Sequence, residues 1–205
     1  MNNNHDISEI VDRLNKSPHL LIPGILAWIR GWWYRLKFTL LGQNFRAGKL
    51  FRVYGTLNIS GPGKVIFGDN CLIISNAIKP VCIRTLMSGA TVQLGNNAGL
   101  NGTAIQSACK VTIGDWSNIA DAYIADTPSH SIKRNRRQET VEDIPSAPVI
   151  IKDNVWISVQ VVILNGVTVG ENSVIGACSL VKDNVPKNIF AAGNPLQIIQ
   201  NIDED

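Results

Sequence analysis

From Ile151 the chain falls into sixes: IKDNVW, ISVQVV, ILNGVT, VGENSV, IGACSL and VKDNVP. Each block opens on an aliphatic residue (Ile151, Ile157, Ile163, Val169, Ile175, Val181) and carries Val or Ser at its fifth position (Val155, Val161, Val167, Ser173, Ser179, Val185). Neither the helical period nor the two-residue alternation of a half-buried strand yields this pattern, and a β-sandwich does not produce strict sixes. The spacing predicts a three-sided coil. One aliphatic side chain per block points into a narrow interior, and a small residue sits near each corner. Three blocks close one turn of a parallel β-helix, and stacked turns bury a continuous column. Gly170 and Gly176, just after the aliphatic position, are expected to ease the corner backbone. Earlier blocks keep the phase less cleanly: FGDNCL at Phe67, LGNNAG at Leu94, LNGTAI at Leu100, IGDWSN at Ile113 and IADAYI at Ile119.

The sixes stop between Ile124 and Val149. The polar, charged segment there predicts a long loop over 125–149, and a loop protruding from a rigid scaffold is where function is expected. It holds His130, one of three histidines in the chain with His5 and His19. An imidazole is the side chain best suited to accept a proton near neutral pH; the alternative is a surface histidine with no role.

The N-terminal segment has a different pattern. Residues 6–16 read as a short helix capped by Asp6 or Ser8. Pro18 and Pro23 interrupt, and Ile25–Leu41 is apolar and aromatic, with Trp28, Trp32, Trp33, Tyr34 and Phe38 beside Arg30, Arg35 and Lys37. Those charges speak against a spanning helix. Two readings stay open: peripheral contact of residues 20–42 with a membrane surface, or packing on the coil or at a contact between copies. The chain thus divides into a basic, aromatic helical segment over 1–52, a β-helix over 53–199 with its inserted loop, and a short acidic tail over 200–205.

Composition narrows the field. The 205 residues are 45% hydrophobic, which excludes a disordered chain. The net charge of +3 hides an asymmetry: nine basic residues and no acid lie between Asp12 and Asp69. No nucleic-acid-binding motif accompanies them. The four cysteines show no CxxC pair, so neither a disulfide framework nor a cysteine zinc site is expected. The first twenty residues lack the pattern of a secretory signal, and a cytoplasmic location is expected.

Four motifs in order carry a resemblance: ADTPSHSI around His130, PVIIKDNVWI from Pro148, GVTVGENSVIGACSLV, and AAGNP at Ala191. Together they resemble the hexapeptide-repeat acyltransferases, specifically the sugar and xenobiotic O-acetyltransferases of that superfamily. The resemblance implies an all-β fold, a left-handed parallel β-helix, with acetyl-CoA as acyl donor and no metal. It implies a homotrimer with a sugar acceptor, in surface polysaccharide biosynthesis. By the same resemblance His130 is the general base, Asp126 the carboxylate that orients it, and the Val159 N–H the oxyanion donor. Asn101 and Trp156 line the acceptor cleft. Ser158, Gly176, Lys182, Ala192, Gly193, Asn194 and Pro195 belong to the coenzyme A groove. The chain departs from the family pattern where Pro128 stands in place of a second acid, and where Lys152 and Ser158 replace glycines. Two alternatives remain: an N-acyltransferase acting on an amino sugar nucleotide, and a non-catalytic β-helix used for binding or assembly. A β-helical carbonic anhydrase needs three histidines on zinc and is excluded by the single histidine after residue 19.

Overall fold

A computed structural model describes residues 19, 21–76 and 79–202. The short helix expected over 6–16 and the end of the acidic tail lie outside the described residues.

The chain winds into coils of three short strands, and equivalent strands of successive coils pair in parallel to make three faces. On the first face Phe67, Leu94, Ile113, Ile151 and Val169 stand in register. On the second face the column is Val53, Ile73, Leu100, Ile119, Ile157, Ile175 and Ala191. The third face stacks Ile59, Ile83, Ile105, Ile124, Ile163 and Val181. All but Ile59 are buried. The aliphatic residue that opens each six is therefore the inward one. The first strand, Phe45–Ala47, lies ahead of the start expected at residue 53. The last, Gln197–Asn201, turns back antiparallel on Ile189–Ala192.

The fifth residue of each block lies inside a corner, and where it is Ser its hydroxyl is satisfied. Ser173 donates to the Pro186 carbonyl at 2.8 Å, and Ser179 donates to that of Gly176 at 2.6 Å. One earlier block places Cys71 there; burial pushes its thiol up to about 11, so it stays protonated and inert near neutral pH. At the corner between the first and second faces, Asn70, Asn97, Asn154, Asn172 and Asn188 all take positive φ. Asparagine tolerates that region, and neighbouring levels bond side chain to side chain, as Asn154 Nδ2 does to Asn172 Oδ1 at 3.0 Å. Gly170 and Gly176 are not among the positive-φ glycines. Their role is room: a Cβ on Gly176 would come within 2.7 Å of the Ala192 Cβ, and one on Gly170 would press on the backbone at Pro186 and Lys187.

One helix, α1 (Leu21–Leu40), packs on the first coil through Ala27, Gly31, Tyr34 and Phe38. Gly31 lets the helix sit directly on the Phe51 carbonyl, and the Tyr34 hydroxyl accepts the Leu57 N–H at 2.9 Å. Phe38, Phe45, Phe51 and Phe67 fill the end of the column with tilted and edge-on rings. The helix runs through Pro23, where a break was expected. Pro23 falls in the first turn, whose N–H groups have no intrahelical acceptor, so proline forfeits nothing there.

The long loop connects Tyr123–Ala125 on the third face to Val149–Ile151 on the first. Within it Lys133 Nζ meets Glu139 Oε1 at 3.1 Å, and Asp143 Oδ2 accepts from the Thr140 N–H at 2.8 Å. The Ser131 hydroxyl, then Lys133, hold the Glu139 carboxyl below its ordinary range; the Thr140 N–H and hydroxyl do so for Asp143. Ile144 is buried, with Met87, Ala108 and Cys109 beside it around one depression.

Two expectations follow. Ile157→Ala removes most of a fully buried side chain and should cost about 2–5 kcal/mol by denaturant midpoint, whereas Ile132→Ala, at a residue 100% exposed, should stay within about 0.5 kcal/mol. Equal effects would contradict the buried column. Because Glu139 and Asp143 have depressed folded values, their contribution holds above the ordinary carboxylate range and fades as pH falls through those values. Amide exchange of residues 131–143, corrected for intrinsic rate, should rise selectively below about pH 4; uniform protection down to acid would contradict these anchors.

Candidate active site

The loop leaves the coil at the corner between the third and first faces and is pinned at both roots. At one root Asp126 is fully buried, and its carboxylate accepts from the Ser107 hydroxyl at 2.6 Å, the Ala108 N–H at 2.6 Å and the Cys109 N–H at 3.0 Å. At the other the Ala147 N–H donates to the Asp126 carbonyl at 2.9 Å, and the Gly166 N–H to that of Ala147 at 3.0 Å. Ser129, in a left-handed conformation with φ 63°, accepts a bond from Gln106 Nε2. His130 comes next, its N–H bonded to the Pro128 carbonyl at 2.8 Å. Its side chain is exposed, and the imidazole has no hydrogen-bond partner among the described residues.

The expected pairing of Asp126 with His130 is not made. The carboxylate is spent on three donors from the preceding coil, so it ties the loop root to the solenoid, a task that asks for the same acid at the same position. Among the described residues no carboxylate takes its place beside the imidazole.

Trp156 and Asn101 do come together. Both lie on the second face, around a shallow depression shared with Gly99, Asn118 and Ala120. Trp156 is 54% exposed, flanked in register by Asn118 and Val174. Asn101 ends the strand Gly99–Asn101; the left-handed corner residue falls on Gly102, so Asn101 is not there to satisfy the turn. The second face is the side of the triangle opposite the corner that carries the loop. A single chain therefore holds His130 away from Trp156 and Asn101.

A third group forms a column along the edge between the second and third faces. Ser158, Gly176 and Ala192 follow in register, each half-buried. The Ser158 N–H donates to the Ile175 carbonyl at 3.0 Å, and the Gly176 N–H to that of Ala191 at 2.8 Å. Gly193, with φ 104°, gives its N–H to the Ser179 hydroxyl at 2.9 Å and leads into the cis Asn194–Pro195 peptide. Val159 stands at the same edge, and its N–H has no acceptor among the described residues. Lys182 is set apart at the end of the coil, 3.6 Å from Asp183 and beside Pro195 and Leu196. Among the described residues no cluster of three or more His, Cys, Asp or Glu is arranged to hold a metal ion.

Trp116 escaped the sequence reading. It takes the left-handed corner position, φ 61°, that asparagine fills at Asn97 below and Asn154 above, and it is 60% exposed. A bulky residue in that region is strained, and such strain collects at functional sites. The signal was present in the sequence: GDN, GNN, KDN and GEN mark the corner elsewhere, while GDW breaks the run in the middle of the stack, as GKL with Leu50 does in the first coil.

Comparison with known proteins gives these parts a context. The family described as bacterial transferase hexapeptide (six repeats) matches residues 148–183. The galactoside O-acetyltransferase of Escherichia coli K12 is 38% identical over 118 residues, covering 57% of this chain and 57% of that protein. A putative acetyltransferase of Saccharomyces cerevisiae is 41% identical over 117 residues, covering 57% of this chain and 59% of that one. The chain thus matches less than two thirds of the length of these curated relatives. Among solved structures, a galactoside acetyltransferase in complex with coenzyme A superposes with a TM-score of 0.50 at 26% identity, covering 78% of this chain and 66% of that one. AntD, an N-acyltransferase from Bacillus cereus solved with dTDP-4-amino-4,6-dideoxyglucose and coenzyme A, gives 0.61 at 18% identity over 82% of this chain and 89% of its own; at that identity the likeness is one of fold. With its sixes, its three parallel faces and its interrupting loop, the chain has the fold of a left-handed parallel β-helix, and over its C-terminal coils it is similar to the hexapeptide-repeat acyltransferases.

Proposed function

We propose that this protein is an acetyl-CoA-dependent O-acetyltransferase that acylates a sugar hydroxyl. It works as a homotrimer in the cytoplasm, at the inner face of a membrane, in surface-polysaccharide biosynthesis. The observation that carries the reading is the condition of His130: an exposed imidazole with no hydrogen-bond partner among the described residues, set on a loop whose two roots are fastened to the solenoid. A general base must reach its substrate and must not be committed elsewhere.

In this reading His130 removes the proton from the acceptor hydroxyl as that oxygen attacks the thioester carbonyl. The free N–H of Val159 donates to the carbonyl oxygen as it gains negative charge. When the carbon–sulfur bond breaks, the imidazolium returns the proton to the departing thiolate, and the acetyl group stays on the sugar oxygen. The half-buried column Ser158, Gly176, Ala192 and Gly193 fits a thin pantetheine arm, because small side chains leave the backbone within reach. Asn101 and Trp156 receive the acceptor, the indole face against the sugar ring. A second copy laid alongside with its axis parallel would bring its loop to this face, which is the physical ground for the trimer.

His130→Ala should lower release of the coenzyme A thiol by about 10²–10⁴-fold with the unfolding midpoint unchanged. Unaltered turnover would remove His130 from the mechanism. In a panel of acceptors, acylation of sugar hydroxyls and not of sugar amines is the expected outcome; the reverse preference would make the protein an N-acyltransferase.

A further inference from the structure

The end cap of a solenoid ordinarily turns a polar face outward, because it closes the hydrophobic column against water. Here the cap is α1, and its outer face is the most apolar surface among the described residues. The stripe Ala27, Gly31, Tyr34 and Phe38 packs on the first coil. At about 100° per residue, Ile22, Ile25, Ile29, Trp32, Trp33 and Leu36 fall on the opposite side, with Ile22 69% and Trp32 59% exposed. Nothing in the first coil needs these residues.

Charge says what covers them. Arg30 lies exposed along one flank of the helix with Lys37, whose ammonium sits 5.4 Å from the Tyr34 ring, while Arg35 on the other flank donates to the Gly48 carbonyl of the first coil. No acid occurs from Arg13 to Gly68, and Arg46, Lys49, Arg52 and Lys64 add to the positive charge of this end, against which Asp69, accepting the Lys49 N–H at 2.7 Å, is the next acid along the chain. A helix with this distribution lies in a bilayer interface: its aliphatic residues enter the acyl boundary, its indoles sit at headgroup level, and its cations meet anionic headgroups. No helix among the described residues is long and apolar enough to cross a membrane.

We infer that α1 seats the first-coil end of the protein on an anionic lipid surface, lying in the plane of the interface and leaving the coils standing clear of it. The inference rests on the peripheral placement proposed above and is independent of the acyl transfer. In a parallel trimer all three α1 helices share one end, so each binding event strengthens the next.

Flotation of the full chain with vesicles tests it, using phosphatidylcholine alone and an equimolar mixture with phosphatidylglycerol. The protein should float with the mixed vesicles and release as salt rises. The double variant Trp32→Ser, Trp33→Ser leaves the packed stripe intact and should lose binding at least tenfold. Arg30→Gln with Lys37→Gln should weaken binding to the mixed vesicles by roughly fivefold per cation and leave the pure phosphatidylcholine sample unchanged. A full chain that stays with the soluble fraction in both samples would overturn the inference. So would a tryptophan variant that floats like the parent, or one that changes assembly size with no change in flotation, which would make a second copy the occupant. Thiol release with a soluble sugar acceptor reads the catalytic proposal separately and should be the same in all these variants.

Discussion

One inward aliphatic side chain per strand, kept in register from coil to coil, is the constraint on which everything else rests. Burial of such a side chain contributes about 1.5–3 kcal/mol, and each one packs against the same position of the coils above and below. The inward positions of successive coils, such as Ile157, Ile175 and Ala191, are fully buried against one another. A stack of this kind has no interior cavity to offer a substrate. Chemistry is pushed to what the stack carries outside itself: an inserted loop, a strip of half-buried small residues at one edge, an aromatic face, and a cap.

The regular half of this fold was legible because its spacing is strict. Ile151 and Val169, Ile157 and Ile175, and Ile163 and Val181 are each eighteen residues apart and pair directly. Earlier coils carry extra residues at their corners: Phe67 pairs with Leu94 across twenty-seven. The inward residues survive there while the phase drifts, so the first strand at Phe45 lay beyond the reach of the repeat. The helix was legible as an apolar, aromatic segment, but not its start, because a proline stops a helix only after the first turn. Which side of it meets the coil depends on Gly31 fitting against a carbonyl, and spacing alone does not reveal that. The hand of the coil came from the resemblance to the hexapeptide-repeat acyltransferases and not from the residues.

The candidate site divides along similar lines. His130 was legible because it is the sole imidazole in a polar interruption of an otherwise aliphatic repeat, and no packing demand of the coil calls for it there. Asp126 misled because an acid at a loop root serves two purposes equally well: orienting a base, or collecting the free donors of a tight turn. Only the geometry, with Ser107, Ala108 and Cys109 around the carboxylate, separates them. Trp116 went unnoticed because its oddity appears only against the column of asparagines it interrupts.

On the function proposed above no single chain would hold a complete site, since the His130 loop leaves the corner opposite the face that bears Trp156. Co-expression of a His130→Ala chain with a Trp156→Ala chain tests this directly. Each variant alone should be nearly inactive, and the mixed assemblies should recover thiol release well above either parent, because some interfaces then pair an intact loop with an intact face. Activity in the mixture no higher than the average of the two variants would place both residues in one chain's site and contradict the account.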